Sequence, residues 1–176
     1  MLSEPETVVP ARGDALLHDK VKTYLRIDGT DLDFELTLMR QAAQDDLERI
    51  TGLRLLNQVV RVRADSVQDL AHLTVGPARS LVAIGTVSTS GDLDPVDIAG
   101  FELTGVGLAR GIRPIGAVPA AFARRPIYAD VKVGYADDGD KIPATLRLAL
   151  FTLIRGRFEE RPVEIEWLIH DFRINP

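Results

Sequence analysis

The stretch LERITGLRLLNQVVRVRAD, residues 47–65, changes its period halfway along. Up to Ile50 its apolar residues continue a stripe, Leu32, Leu36, Met39, Ala43, Leu47 and Ile50, spaced by 4, 3, 4, 4 and 3 residues. That spacing keeps one face of an α-helix apolar. Gly52 suits the left-handed residue that closes a helix. From Asn57 onward Val60, Val62 and Ala64 alternate with Arg61 and Arg63, the period of a strand with one buried face. A helix passes almost directly into a strand, which points to an α+β protein.

Working back from Leu32, Asp33 and Glu35 suit the positive end of the helix dipole. Thr30 or Asp31 is placed to cap the helix, after the break IDGTD. A shorter helix is expected over 15–26, ALLHDKVKTYLR, where Leu17, Val21 and Leu25, with Tyr24, share a face. Residues 1–13, with Pro5, Pro10 and Gly13, read as an extended arm. Working forward, LVAIGTVST and GFELTG are strand candidates, and RPIYADVKVGYAD is the strongest of them. There Ile127, Ala129, Val131 and Val133 should face one way, and Tyr128, Asp130 and Lys132 the other. A last helix, opened near Pro143 and ended by Arg161-Pro162, buries Leu146, Leu150, Leu153, Ile154 and Phe158. The expected architecture is a small helical bundle of two N-terminal helices and one C-terminal helix. An antiparallel β-rich region is inserted in it, and an extended C-terminal tail follows. Its parts are an arm (1–13), one domain (14–162) and a tail (163–176).

Composition narrows the function. The 176 residues are 45% hydrophobic, enough for a globular core, and contain no Cys, hence neither a disulfide nor a thiolate metal site. The first residues lack the basic start and apolar run of a secretory signal, and no segment reaches the roughly 20 apolar residues of a membrane span. Net charge is −5. Residues 1–50 hold 11 acids and 6 bases while residues 51–176 hold 15 of each, so the whole excess lies in the N-terminal part. An acidic chain is a poor candidate for gripping phosphates.

Enzyme signatures are weak. His18, His72 and His170 lack ligand spacing, and neither HExxH nor GxSxG occurs. GVGLARG, residues 105–111, has the spacing GxGxxxG and is followed by Pro114 rather than a helix, so it reads as a glycine-rich hairpin or loop. ADDGD, residues 136–140, lacks the ligand order of a calcium loop and reads as a turn before a helix. No metal or cofactor is expected. A small hydrolase is the remote alternative.

Three surface features remain. Arg110, Arg113, Arg124 and Arg125 lie in an acid-free stretch, 103–129, read as loops that are solvated or touch an acidic neighbour or DNA. Charged residues of the long helix, Arg40, Asp45, Asp46, Glu48 and Arg49, suit a contact with a neighbouring subunit. Beyond the helix stop come Ile165, Trp167, Leu168, Ile169 and Phe172, with Arg173. Such a tail either folds onto its own core or inserts into a partner.

The order of these motifs resembles a known family. Lys22, Tyr24 to Asp28, Asp31, Asp33, Glu48, Thr51, Gly52 and Leu55 resemble the N-terminal signature of head–tail connector (adaptor) proteins of long-tailed bacteriophages and phage-like gene transfer agents. Val131, Val133, Gly134, Tyr135, Ile142, Pro143, Leu146, Arg147 and Ala149 resemble a later block of that family. EWLIHDFRI resembles its L-L-x-x-Y-R ending, with Phe172 where Tyr is common and His170-Asp171 where Ala-Pro is common. The resemblance spans about residues 15–176. It implies a non-enzymatic ring, usually dodecameric, beneath the portal, with double-stranded DNA passing through the lumen. It implies that Ile165, Trp167, Leu168, Ile169, Phe172 and Arg173 dock onto the portal. Arg110, Arg113, Arg124 and Arg125 would face a downstream stopper or tail-terminator component, or the DNA channel. Location at the head–tail interface of a particle follows. Twelve copies would carry about −60 charges, letting DNA slide. A tail-completion or tail-terminator protein is the nearer alternative.

Overall fold

The computed structural model describes residues 1–174. The chain forms two compact units, one of residues Met1–Ala11, Asn57–Gly134 and Ile174, the other of Arg12–Leu56 and Tyr135–Arg173. The α+β class is as read from the sequence, and the β-rich segment is inserted between Leu56 and Tyr135. Residues 14–162, expected as one domain, include parts of both units.

The first unit is built on an antiparallel sheet of β1 (Glu6–Val9), β2 (Gln58–Ala64), β3 (Ala78–Val87), β4 (Leu93–Val96) and β7 (Ile127–Val133), in the order β1-β2-β7-β3-β4. The expected N-terminal arm is therefore an edge strand, with Glu6 opposite Arg61 and Thr7 opposite Val60. A hairpin of β5 (Phe101–Val106) and β6 (Ala109–Pro114) contains the glycine-rich GVGLARG. Val60, Val62, Ala64, Ile84, Ile127, Ala129, Val131 and Val133 form a core with Leu70, Ile112 and the stacked rings of Phe101 and Phe122, whose centroids are 5.5 Å apart. Edge strand β4 contains Pro95, which needs no ladder donor.

β7 departs from simple alternation. Tyr128 and Asp130, expected on the face opposite to Ile127 and Ala129, are buried as well. Asp130 lies opposite Arg61 on β2 and accepts two hydrogen bonds from it, at 2.7 and 2.8 Å. The same guanidinium stands 5.1 Å from the centroid of the Tyr128 ring. Gly85 lies opposite Tyr128, and a Cβ there would come within 2.8 Å of the ring and 2.2 Å of the Asp94 carbonyl oxygen. A central strand is covered on both faces, so its polar residues need partners in the sheet.

The second unit contains α1 (His18–Leu25), α2 (Asp33–Thr51), α3 (Ala144–Phe158) and the short α4 (Glu166–Ile169). Gly52 closes α2 in the left-handed conformation, φ 73°, as its position foretells. Neither Thr30 nor Asp31 caps α2 with its side chain. The Asp33 N–H bonds to the Thr30 carbonyl at 3.1 Å, and the Asp33 carboxylate takes Lys22 at 2.8 Å and His18 at 2.9 Å. Leu36, Ala43 and Leu47 of α2 and Leu146, Leu150 and Ile154 of α3 are all buried, and the two helices pack together.

Pro162 is not the stop for α3. The helix ends at Phe158, and Glu160 adopts φ 51°. Its N–H bonds to Arg157 at 3.2 Å, and the next N–H, of Arg161, reaches back to Gly156 at 2.9 Å. This pair of bonds satisfies the last carbonyls and reverses the chain.

Leu47→Ala should destabilise the protein by about 2–5 kcal/mol, read from urea or thermal unfolding, because it opens a cavity in the α2–α3 seam. A change within about 0.5 kcal/mol, the range of surface substitutions, would contradict this packing.

Candidate docking and assembly surfaces

The C-terminal segment answers the choice its composition left open for most of its residues. Ile165, Leu168 and Ile169 are buried within the helical unit. Their spacing, with half-buried Phe172, is i, i+3, i+4, i+7, one face of a short helical stretch that packs beside α3. Gly156 makes the return possible, since a Cβ there would lie 2.7 Å from Val163. The segment after Pro162 therefore does not leave the helical unit freely. Three of the anchors already have a groove in their own unit, and Arg173 pairs with Glu166. Trp167 alone points away, 72% exposed. The last two residues of the expected tail, 175–176, lie outside the described residues.

The α2 charges divide the same way. Arg40 donates to Asp14 at 2.7 Å and to the Leu16 carbonyl, with its side chain 11% exposed, so it ties the segment before α1 to α2. Glu48 is buried and accepts the Leu55 N–H at 2.9 Å and Gln44 at 3.1 Å, with Arg54 at 3.7 Å. Burial pushes the Glu48 carboxyl above its ordinary value, while the Leu55 N–H and Arg54 pull it down. Asp46 pairs with Arg49 at 3.0 Å and with Arg157 of α3, and these partners hold its carboxyl below the usual range. Arg40 and Glu48 therefore hold partners within their own unit. Asp45 and Arg49 remain on the exposed face.

The basic stretch does not lie wholly in loops. Arg110 and Arg113 are on strand β6, where Arg113 pairs with Glu102 at 2.5 Å. Arg124 and Arg125 precede β7, and Arg125 pairs with Asp94 at 2.7 Å. Acids distant in sequence thus neutralise two of the four cations, leaving Arg124 as an exposed candidate for an outside partner. The Arg61–Asp130–Tyr128 group went unrecognised in the sequence. Its signal was a charge of each sign on the polar faces of the two strongest strands.

No family model matches the chain, and no curated protein does. Solved structures do. A chain in the virion of a native gene transfer agent particle superposes with a TM-score of 0.84 at 22% identity, covering 99% of this chain and 97% of that one. A chain in the neck of an empty gene transfer agent particle, computed with C6 symmetry, gives the same TM-score, identity and coverage. One in the neck of the native particle, computed with C12 symmetry, gives 0.74 at 20% identity over the same shares. At this identity the likeness establishes a common fold from end to end, and it agrees with the family resemblance read from the sequence.

Two measurements check these placements. Ile169→Ala should cost about 2–5 kcal/mol of unfolding free energy, whereas a free tail would leave stability unchanged. Glu48 binds its proton more tightly in the folded protein than in the unfolded chain. It therefore costs stability as pH rises above 4.5, its ordinary value. Glu48→Gln should gain on the wild type as pH rises above 4.5 in parallel urea titrations. A difference that is flat with pH would mean that Glu48 is not held in a desolvated site.

Proposed function

We propose that the chain is a structural head–tail connector of a phage or phage-like particle. It forms a ring, of twelve copies, between the portal and the tail-proximal components, and DNA passes through its lumen. The observation that carries this reading is the end-to-end likeness, at a TM-score of 0.84, to a chain in a gene transfer agent virion and to one in the neck of such a particle. The motif order of the sequence supports it independently. In this reading the chain is made in the bacterial cytoplasm and ends at the head–tail interface, where its role is mechanical rather than catalytic.

In this reading, exposure divides the contacts among the candidate residues. Portal docking falls on Trp167, with Phe172 and Arg173 at its side, because Ile165, Leu168 and Ile169 are spent on the helical unit's own core. A large exposed aromatic on a rigid helix is a favourable anchor, since little conformational entropy remains to be lost. Arg110, Arg113, Arg124 and Arg125 face the tail-side component or the channel. In that role Arg124 matters most, because Arg113 and Arg125 already hold acids. Asp45 and Arg49 lie at the contact between subunits.

Trp167→Ala should leave the unfolding midpoint within about 2–4 °C, as for a surface substitution, yet weaken binding to purified portal at least about tenfold. Cells producing it should accumulate DNA-filled heads without tails. Undiminished portal affinity would remove Trp167 from the docking surface. Absence of the protein from purified particle necks would remove the connector reading as a whole.

A further inference from the structure

The helical unit presents an apolar ridge and a cleft on its surface. The ridge is Phe34, 76% exposed, and Leu38, 50% exposed, one turn apart on α2. Exposed Asp31 and Glu35 flank it. The cleft, of about 430 Å³, lies between the end of α1 and the last turns of α3 and is lined by Tyr24, Arg26, Arg155 and Phe158 among others.

α2 and α3 run side by side in the same direction. Asp46 meets Arg157, and Thr37 and Gln44 line one cavity with Leu150 and Ile154. The Asp46–Arg157 pair puts Phe34 level with Thr145. Phe158 lies about 20 Å farther along the axis at 1.5 Å per residue. Phe158 thus lies at the other end of the helix pair from the ridge, while Tyr24, the second wall of the cleft, stands over Phe151 with ring centroids 4.7 Å apart.

They match in chemistry. The ridge offers an aromatic ring between carboxylates. The cleft offers two aromatic rings, Tyr24 and Phe158, between guanidiniums. Arg155 is partly engaged by Glu159 at 2.7 Å, whereas Arg26 makes no ion pair among the described residues. Closed rings are made from two unlike surfaces of one chain, each meeting the other on the next copy. Resting on the ring reading above, we propose that the Phe34–Leu38 ridge of one copy seats in the Tyr24–Phe158 cleft of the next. The acids of the ridge then face Arg26 and Arg155 of the cleft. One helical unit carries both halves of the contact, and the occupant of the cleft is a second copy of this chain.

The chain has no cysteine, so introduced thiols report only on this contact. The full chain would be made with Phe34→Cys, with Tyr24→Cys and with both, in cells assembling particles, then mildly oxidised. The double variant should give a ladder of cross-linked multimers, and a mixture of the single variants should give dimers only. Charge exchange supplies a second reading that does not depend on thiols. Arg26→Glu should weaken self-association about tenfold, measured by sedimentation, and Glu35→Arg in the same chain should restore it. Rings that form without the cross-link would overturn the ridge-in-cleft contact and leave the connector reading standing. A Phe34 thiol captured by another particle protein would assign the ridge to that protein and also overturn it. A chain absent from necks and without self-association would remove both readings.

Discussion

The helical unit depends on one dry seam. Leu36, Ala43 and Leu47 of α2 and Leu146, Leu150 and Ile154 of α3 are buried together, although about a hundred residues separate the two helices in sequence. The other pieces of the unit are added to that pair. Val21 brings in α1, Glu48 holds the turn at Leu55, and Ile165, Leu168 and Ile169 bring in the last helix. The β-rich segment leaves at Leu56 and returns at Tyr135, and a parallel bridge joins Leu56 to Ala136. Insertion of most of a sheet between two halves of a helical unit is tolerable because the chain exits and re-enters at neighbouring points, so loop closure costs little more than it would for a short connection.

This arrangement bears on how such a chain could serve as a connector. A protein placed between two larger bodies must offer several surfaces without losing its own fold. Here most groups that look available in the sequence are already committed internally. Arg40, Glu48, Arg113, Arg125 and three apolar residues of the C-terminal segment all have partners within their own unit. Among the groups left outside are an aromatic on α4, an apolar pair on α2, an arginine before β7, and Val106 and Ile115 of the hairpin region.

Periodicity carried the fold. The stripes of α2 and α3, the alternation of β2 and the glycine at position 52 could all be read directly, because each is local and its physical cause lies within one turn or one pleat. The failures are all non-local. β1 carries no periodic signal in four exposed residues and becomes a strand only because β2 offers an edge. The burial of Tyr128 and Asp130 requires knowing that β7 is the central strand. Pairing of Arg113 with Glu102 and of Arg125 with Asp94 follows from β-pairing that no spacing reveals. The C-terminal segment is the instructive exception. Its i, i+3, i+4, i+7 stripe was present in the sequence, and the proline at 162 drew attention away from the glycine at 156 that turns the chain back.

Both edges of the main sheet are interrupted by proline. β1 lies between Pro5 and Pro10, with an irregular register between Thr7 and Val9, and β4 holds Pro95 within its four residues. An open edge is a template, and a template is most dangerous where identical chains are crowded in fixed orientation. Proline removes a donor and bends the edge away from flatness, so neighbouring sheets cannot zip into a continuous ladder. In a closed assembly this would confine contacts between copies to side-chain surfaces, whose number of partners is limited, and exclude the unlimited growth that backbone pairing allows.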